Sequence, residues 1–160
     1  MFRLTPSELR MCEVQGEFFV KSLEFFPNLS SFVFIRRFMK SNLARHLDQT
    51  DYFSDCFSLI TLADRLSSEF DNDNYGKEKL SIDVLYWIGF VYRYWSYYKK
   101  MSSSTIFSIA NGNFMADNYF ECHTYSNINA VNVLINKTNF KHNASSDLQS
   151  QLVLTLSNKN

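Results

Sequence analysis

The sequence predicts an all-α, single-domain helical bundle: about four long helices and shorter C-terminal ones, packed around a central aromatic helix. Three stretches carry that prediction. Thr5-Pro6-Ser7-Glu8 is a helix start, with a hydroxyl cap, proline at the first helical position and an acid three residues after the cap. Residues 50–70 place apolar side chains at helical spacing with polar ones opposite. Tyr86 to Tyr98 holds both tryptophans and most of the tyrosines, and aromatic side chains bury the largest areas of any residue, so this stretch reads as the rod that other elements pack against.

Composition narrows the function. At 160 residues the chain suits one domain that buries roughly 68–70% of its unfolded surface. Sixteen basic residues balance sixteen acidic ones, so no global field draws nucleic acid or an anionic membrane. Asp83 and Arg93 interrupt the most apolar run, which argues against a membrane-spanning helix. Cys12, Cys56 and Cys122 are odd in number and widely spaced, so they read as reduced, small apolar residues of a cytoplasmic protein rather than a disulfide framework or zinc site. No metal and no cofactor is expected.

The first helix is expected from Thr5 to about Phe26, stopped by Pro27. Leu9, Cys12, Gly16, Phe19, Val20 and Leu23 share one face. Met11, Val14, Phe18 and Phe25 form a second apolar stripe, so the helix either sits between two layers or lends that stripe to a partner. Ser30 or Ser31 caps a second helix reaching about Leu47. Arg36, Arg37 and Lys40 cluster beside its inner arc, a solvated face or a site for phosphate or an acidic partner, and His46 projects onto the apolar arc. The third helix runs from Thr50 or Asp51 to about Phe70, with Tyr52, Phe53, Cys56, Leu59, Ile60, Ala63, Leu66 and Phe70 inward. Asp71 to Gly76 then breaks the pattern. It resembles the start of a calcium loop, but the glutamate required at the twelfth position is Ile82, so it reads as a solvated loop.

Ser81 caps the aromatic helix, whose narrow polar stripe is Gly89, Arg93 and Ser96. The small residues permit a close helix approach, and Arg93 between them must find a carboxylate, carbonyls, an aromatic face or a ligand anion, because arginine does not neutralise. Short helices around Thr105–Ala110 and Phe114–Phe120 follow, and Ser126 caps a last helix through Ile135. The helical domain is drawn at residues 1–137, with 138–160 as a polar, mobile tail carrying one apolar patch at Leu152-Val153-Leu154.

No phosphate-binding glycine loop, nucleophile elbow or zinc-binding His pair is present. Cys122 and His123 are sequence neighbours, which point in different directions on a helix or strand. Arg93 and His123 are the remaining catalytic candidates, should they meet in space.

At the aromatic helix and its sequel the chain resembles a family of small all-helical bacterial proteins. These share a Tyr-Trp-Ile-Gly-x-x-Tyr-Arg-Tyr-Trp helix, a serine-rich turn and a His-Thr element before a final helix: here Tyr86–Trp95, Ser102–Ser104 and His123-Thr124. Where an acidic residue is expected after His-Thr, this chain has Tyr125-Ser126. Such proteins are encoded beside candidate ADP-ribosyltransferase-type toxins, so the resemblance implies a component of a toxin–antitoxin-type system. The leading expectation is a protein-interaction module, antitoxin-like or accessory, that binds a cognate protein and is compatible with homo-oligomers. A helical effector acting on nucleic acid or nucleotide through Arg93 and His123, and a structural or regulatory domain, are the alternatives.

Overall fold

Helix formation begins at the first cap. Thr5 Oγ1 accepts from the Glu8 N–H at 3.2 Å and the Glu8 carboxylate accepts from the Thr5 N–H at 2.8 Å, a reciprocal box that satisfies two otherwise unpaired donors. The computed structural model describes residues 1–49, 58–71 and 75–157, with the backbone alone for 140–144. Among them are nine helices: α1 (Pro6–Phe25), α2 (Ser31–Met39), α3 (Asn42–Leu47), α4 (Leu59–Ser67), α5 (Ile82–Lys99), α6 (Ser103–Ile109), α7 (Gly112–Asp117), α8 (Tyr119–Cys122) and α9 (Asn127–Ser157). The described residues contain no strand, so the all-α prediction is met. None of these helices is long and apolar enough to cross a membrane.

The central pair is α1 against α5, and two glycines set how close they come. A Cβ on Gly89 would lie 2.7 Å from the Gln15 carbonyl oxygen and 3.0 Å from the Gly16 Cα, so the two backbones touch where side chains would otherwise separate them. Below the crossing, Phe18 and Phe19 of α1 meet Phe34 and Phe38 of α2 with ring centroids 5.1–5.7 Å apart, mostly edge to face. On the other side of α5, Tyr86, Phe90, Tyr94 and Tyr98 form a ladder at four-residue spacing, closed by Phe2 on the last two rings. The helix predicted as a buried rod is one, with Leu85, Ile88, Gly89 and every residue from Val91 to Tyr97 buried.

Several boundaries differ from expectation for local reasons. The single helix expected to reach Leu47 divides at Ser41, whose hydroxyl donates to the Phe38 carbonyl at 2.6 Å and accepts from the Ala44 N–H at 3.0 Å, ending α2 and capping α3 at once. The Glu69 carboxylate then takes the Asn42 and Leu43 N–H groups at 2.8 and 2.9 Å. Past this break His46 is exposed, not on the core arc. Arg65 donates to its Nδ1 at 3.0 Å, which leaves the ring proton on Nε2.

Ser58 caps α4, and Ile60, expected inward, is exposed; Tyr52, Phe53 and Cys56 lie outside the described residues. After Asp71 the described residues 75–79 are exposed, as expected of a solvated loop, and the chain there is also pinned by hydrogen bonds. Ser30 and Ser31 donate to the Tyr75 and Glu78 carbonyls at 2.7 and 2.9 Å, and the Lys79 ammonium donates to the carbonyls of Phe26 and Leu29. No break falls at Lys137, because α9 runs through it to Ser157.

Gly89→Ala is expected to lower unfolding stability by about 1–3 kcal/mol, since the added carbon meets backbone that has nowhere to go. Gly112→Ala should stay within about 0.5 kcal/mol, because its Cβ would meet only side-chain atoms of Phe32 and Ile35 at 3.3–3.5 Å. Urea titration of both variants distinguishes the two.

Candidate functional site

Arg93 is completely buried, so each donor of its guanidinium needs a protein acceptor. Nε donates to Gln15 Oε1 at 2.8 Å and Nη1 to Asp48 Oδ1 at 2.7 Å. Nη2 donates to Ser103 Oγ at 3.1 Å, with the Ala44 carbonyl at 3.5 Å, and the Tyr97 ring lies 5.4 Å from the guanidinium carbon.

Each partner is held in turn. Gln15, itself buried, donates from Nε2 to the Gly89 carbonyl at 2.9 Å, which places its Oε1 at Arg93 and fixes the α1–α5 crossing. Asp48 ends α3 and receives the Ser103 N–H at 2.9 Å and Ser103 Oγ–H at 2.6 Å, so one carboxylate neutralises Arg93 and caps α6. Ser96 Oγ lies 3.3 Å from the same carboxylate and 2.7 Å from the Met101 carbonyl, and Tyr97 donates to the Leu47 carbonyl at 3.1 Å. The centre joins α1, α3, α5 and α6. By contrast the indole N–H of Trp95, also fully buried, has no hydrogen-bond partner among the described residues.

Sequence reading identified Arg93 and its need for acceptors but missed Gln15, Asp48 and Ser103. A lone glutamine on the helix face that meets the aromatic rod was the available signal.

The other candidates are not brought to this centre. His123 is exposed, its ring stacked on Tyr119 at 4.6 Å and its Nδ1–H directed at the Tyr119 carbonyl at 2.9 Å. None of Arg93's hydrogen-bond partners comes from α8, the helix beside His123. Cys122 points inward and is fully buried, and burial raises its thiol, so Cys122 and His123 face opposite ways. Met11, Val14 and Phe18 are 6%, 6% and 0% exposed: this stripe faces the chain's own interior, the sandwiched arrangement of the two its pattern allowed. Phe25 is half-buried beside a cavity of about 230 Å³ that Leu66 and Phe70 also line. Arg37 and Lys40 lie over different rings, Phe70 at 5.3 Å and Phe107 at 5.6 Å, while Arg36 is exposed. Among the described residues no group of His, Cys, Asp or Glu is placed to hold a metal ion.

Removing either member of the Arg93–Asp48 pair leaves a charge stranded. Arg93→Met and Asp48→Asn are each expected to cost about 3–5 kcal/mol, and the double variant less than their sum by about 0.5–3 kcal/mol. Urea midpoints of all four proteins supply the comparison, and strict additivity would refute the pairing.

A pH dependence follows from burial. It raises the Cys12 thiol from 9.0 to about 12, against a smaller opposing pull from Arg93, and raises the Tyr92 and Tyr97 phenols above 10.0. These groups are neutral in both folded and unfolded chains below about pH 8, so their contribution is whole there. It is lost as pH climbs and the unfolded chain ionises first. The urea midpoint should be flat from neutrality to about pH 8 and fall above it.

No family model matches the sequence, and neither a curated protein nor a solved structure does.

Proposed function

We propose that this chain is a protein-interaction module, serving as an antitoxin-like or accessory component of a bacterial toxin–antitoxin-type system, with the outer half of α9 as its contact element. One observation supports this most: Leu148, Leu152, Val153, Leu154 and Leu156 are 62–68% exposed along the end of one helix. An exposed run of large apolar side chains marks an interaction site on a folded protein. The toxin–antitoxin setting comes from the resemblance in Tyr86–Trp95. An effector acting through Arg93 and His123 would need both in one cleft. Arg93 is engaged by four protein residues and His123 stacks at the surface.

The test is co-expression with the protein encoded beside this chain's gene. The wild-type chain should co-purify with it and relieve any growth arrest it causes, and Leu152→Glu with Leu156→Glu should reduce recovery by about tenfold or more. Growth arrest by the chain alone, abolished by His123→Ala in a folded variant, would refute this function in favour of the effector.

A further inference from the structure

The cavity of about 230 Å³ beside Phe25 lies where the end of α1, the turn that follows it, α2 and the end of α4 meet. None of its lining residues belongs to the Arg93 centre or to α9. Burial grades the lining from floor to mouth. Leu29, Phe34 and Leu66 are 6%, 1% and 3% exposed, and all three are apolar. Phe25, Phe26 and Phe70 are half-buried, whereas Asn28, Ser67 and Asp71 are exposed and polar. An apolar floor beneath a few polar groups is the arrangement of a small-molecule site, in which the floor supplies affinity and the polar groups fix orientation.

The walls are held apart. The Leu29 N–H donates to the Phe26 carbonyl at 3.1 Å, and the Lys79 ammonium donates to the carbonyls of both residues, so the turn is clamped. The Ser30 N–H next to it is held by the Tyr75 carbonyl at 2.7 Å. Across the cavity the Arg37 guanidinium carbon lies 5.3 Å from the centre of the Phe70 ring. A site built this way is preformed, and little side-chain freedom is lost when a ligand enters.

Three features specify the occupant. The volume exceeds the about 150 Å³ that accepts a benzene ring and falls short of the about 300 Å³ at which drug-sized pockets begin, which fits a single ring or a fused pair. Four of the lining residues are phenylalanines, and ring–ring contacts favour an aromatic ligand over a saturated one of equal size. Among the described residues the lining carries one cation, Arg37, and one carboxylate, Asp71, so neither sign of ligand charge is favoured. The apolar floor disfavours both.

We propose that this cavity binds a small neutral aromatic molecule, its ring against Leu29, Phe34 and Leu66 and its polar edge toward Asn28, Ser67 and Asp71. The site is independent of the contact role of α9, and neither stands or falls with the other.

Indole is the probe. Titrated into the nitrogen-15-labelled full chain, it should saturate with a Kd of about 0.1–1 mM. The amide signals that move should be those of the lining residues, with those around Arg93 and along α9 unchanged. Ser67→Trp places a ring at the mouth from an exposed helix position and should weaken indole binding by about tenfold or more without lowering the thermal transition. Asp64→Trp, exposed on the same helix but outside the lining, should bind like wild type. Phenol should bind about 2–10-fold more tightly than cyclohexanol, its saturated counterpart, and indole more tightly than the indole-3-acetate anion. The proposal is overturned by the absence of saturable shifts up to about 5 mM indole, by shifts centred elsewhere, or by binding that Ser67→Trp leaves intact or Asp64→Trp abolishes equally. Cyclohexanol binding as tightly as phenol, or indole-3-acetate as tightly as indole, would overturn the class of ligand.

Discussion

A guanidinium with no access to water is the constraint on which this fold turns. Arginine stays charged in any folded protein, so burying Arg93 obliges the chain to surround it with acceptors. Four helices supply them: Gln15 from α1, Ala44 and Asp48 at the end of α3, Tyr97 from α5 itself and Ser103 at the start of α6. The requirement orders the architecture. α3 must end where Asp48 reaches α6, and α1 must cross α5 closely enough for Gln15 to hold both Arg93 and the Gly89 carbonyl. Glycine at the crossing and serine at the break are local consequences of that geometry.

The same geometry separates interior from surface. The polar stripe of α5 is its most enclosed side and its aromatic ladder its more open one, the reverse of a simple amphipathic helix. Because the buried polar groups of the centre are matched by one another, they act as struts. Apolar groups left to solvent are scattered singly at Ile60, Tyr75, Ile82 and Phe120, and only along the outer half of α9 do several follow one another.

How much of this was legible in the sequence depended on the distance over which each feature is determined. Caps at Thr5 and Ser81 are decided within four residues, and each is present. Arg93's demand for acceptors follows from its position in an aromatic helix, and three of the four classes expected, a carboxylate, a carbonyl and an aromatic face, serve it together. Their identities were hidden because Gln15 and Asp48 lie 78 and 45 residues away in sequence, where no periodicity links them. The division at Ser41 was hidden because apolar spacing runs through it while the hydroxyl and a distant Glu69 reset the backbone. The helical continuation of α9 was masked by its serine and asparagine content, a composition that reads as a solvated tail.

The most direct test of the central claim observes the Arg93 guanidinium itself. In a nitrogen-15-labelled wild-type protein, the Arg93 Nε–H, hydrogen-bonded to Gln15 and shut away from water, should exchange with solvent at least about 100-fold more slowly than the Nε–H of exposed Arg36. Exchange at the rate of Arg36 would mean that water reaches the centre, and the account of Arg93 as an enclosed strut would be wrong.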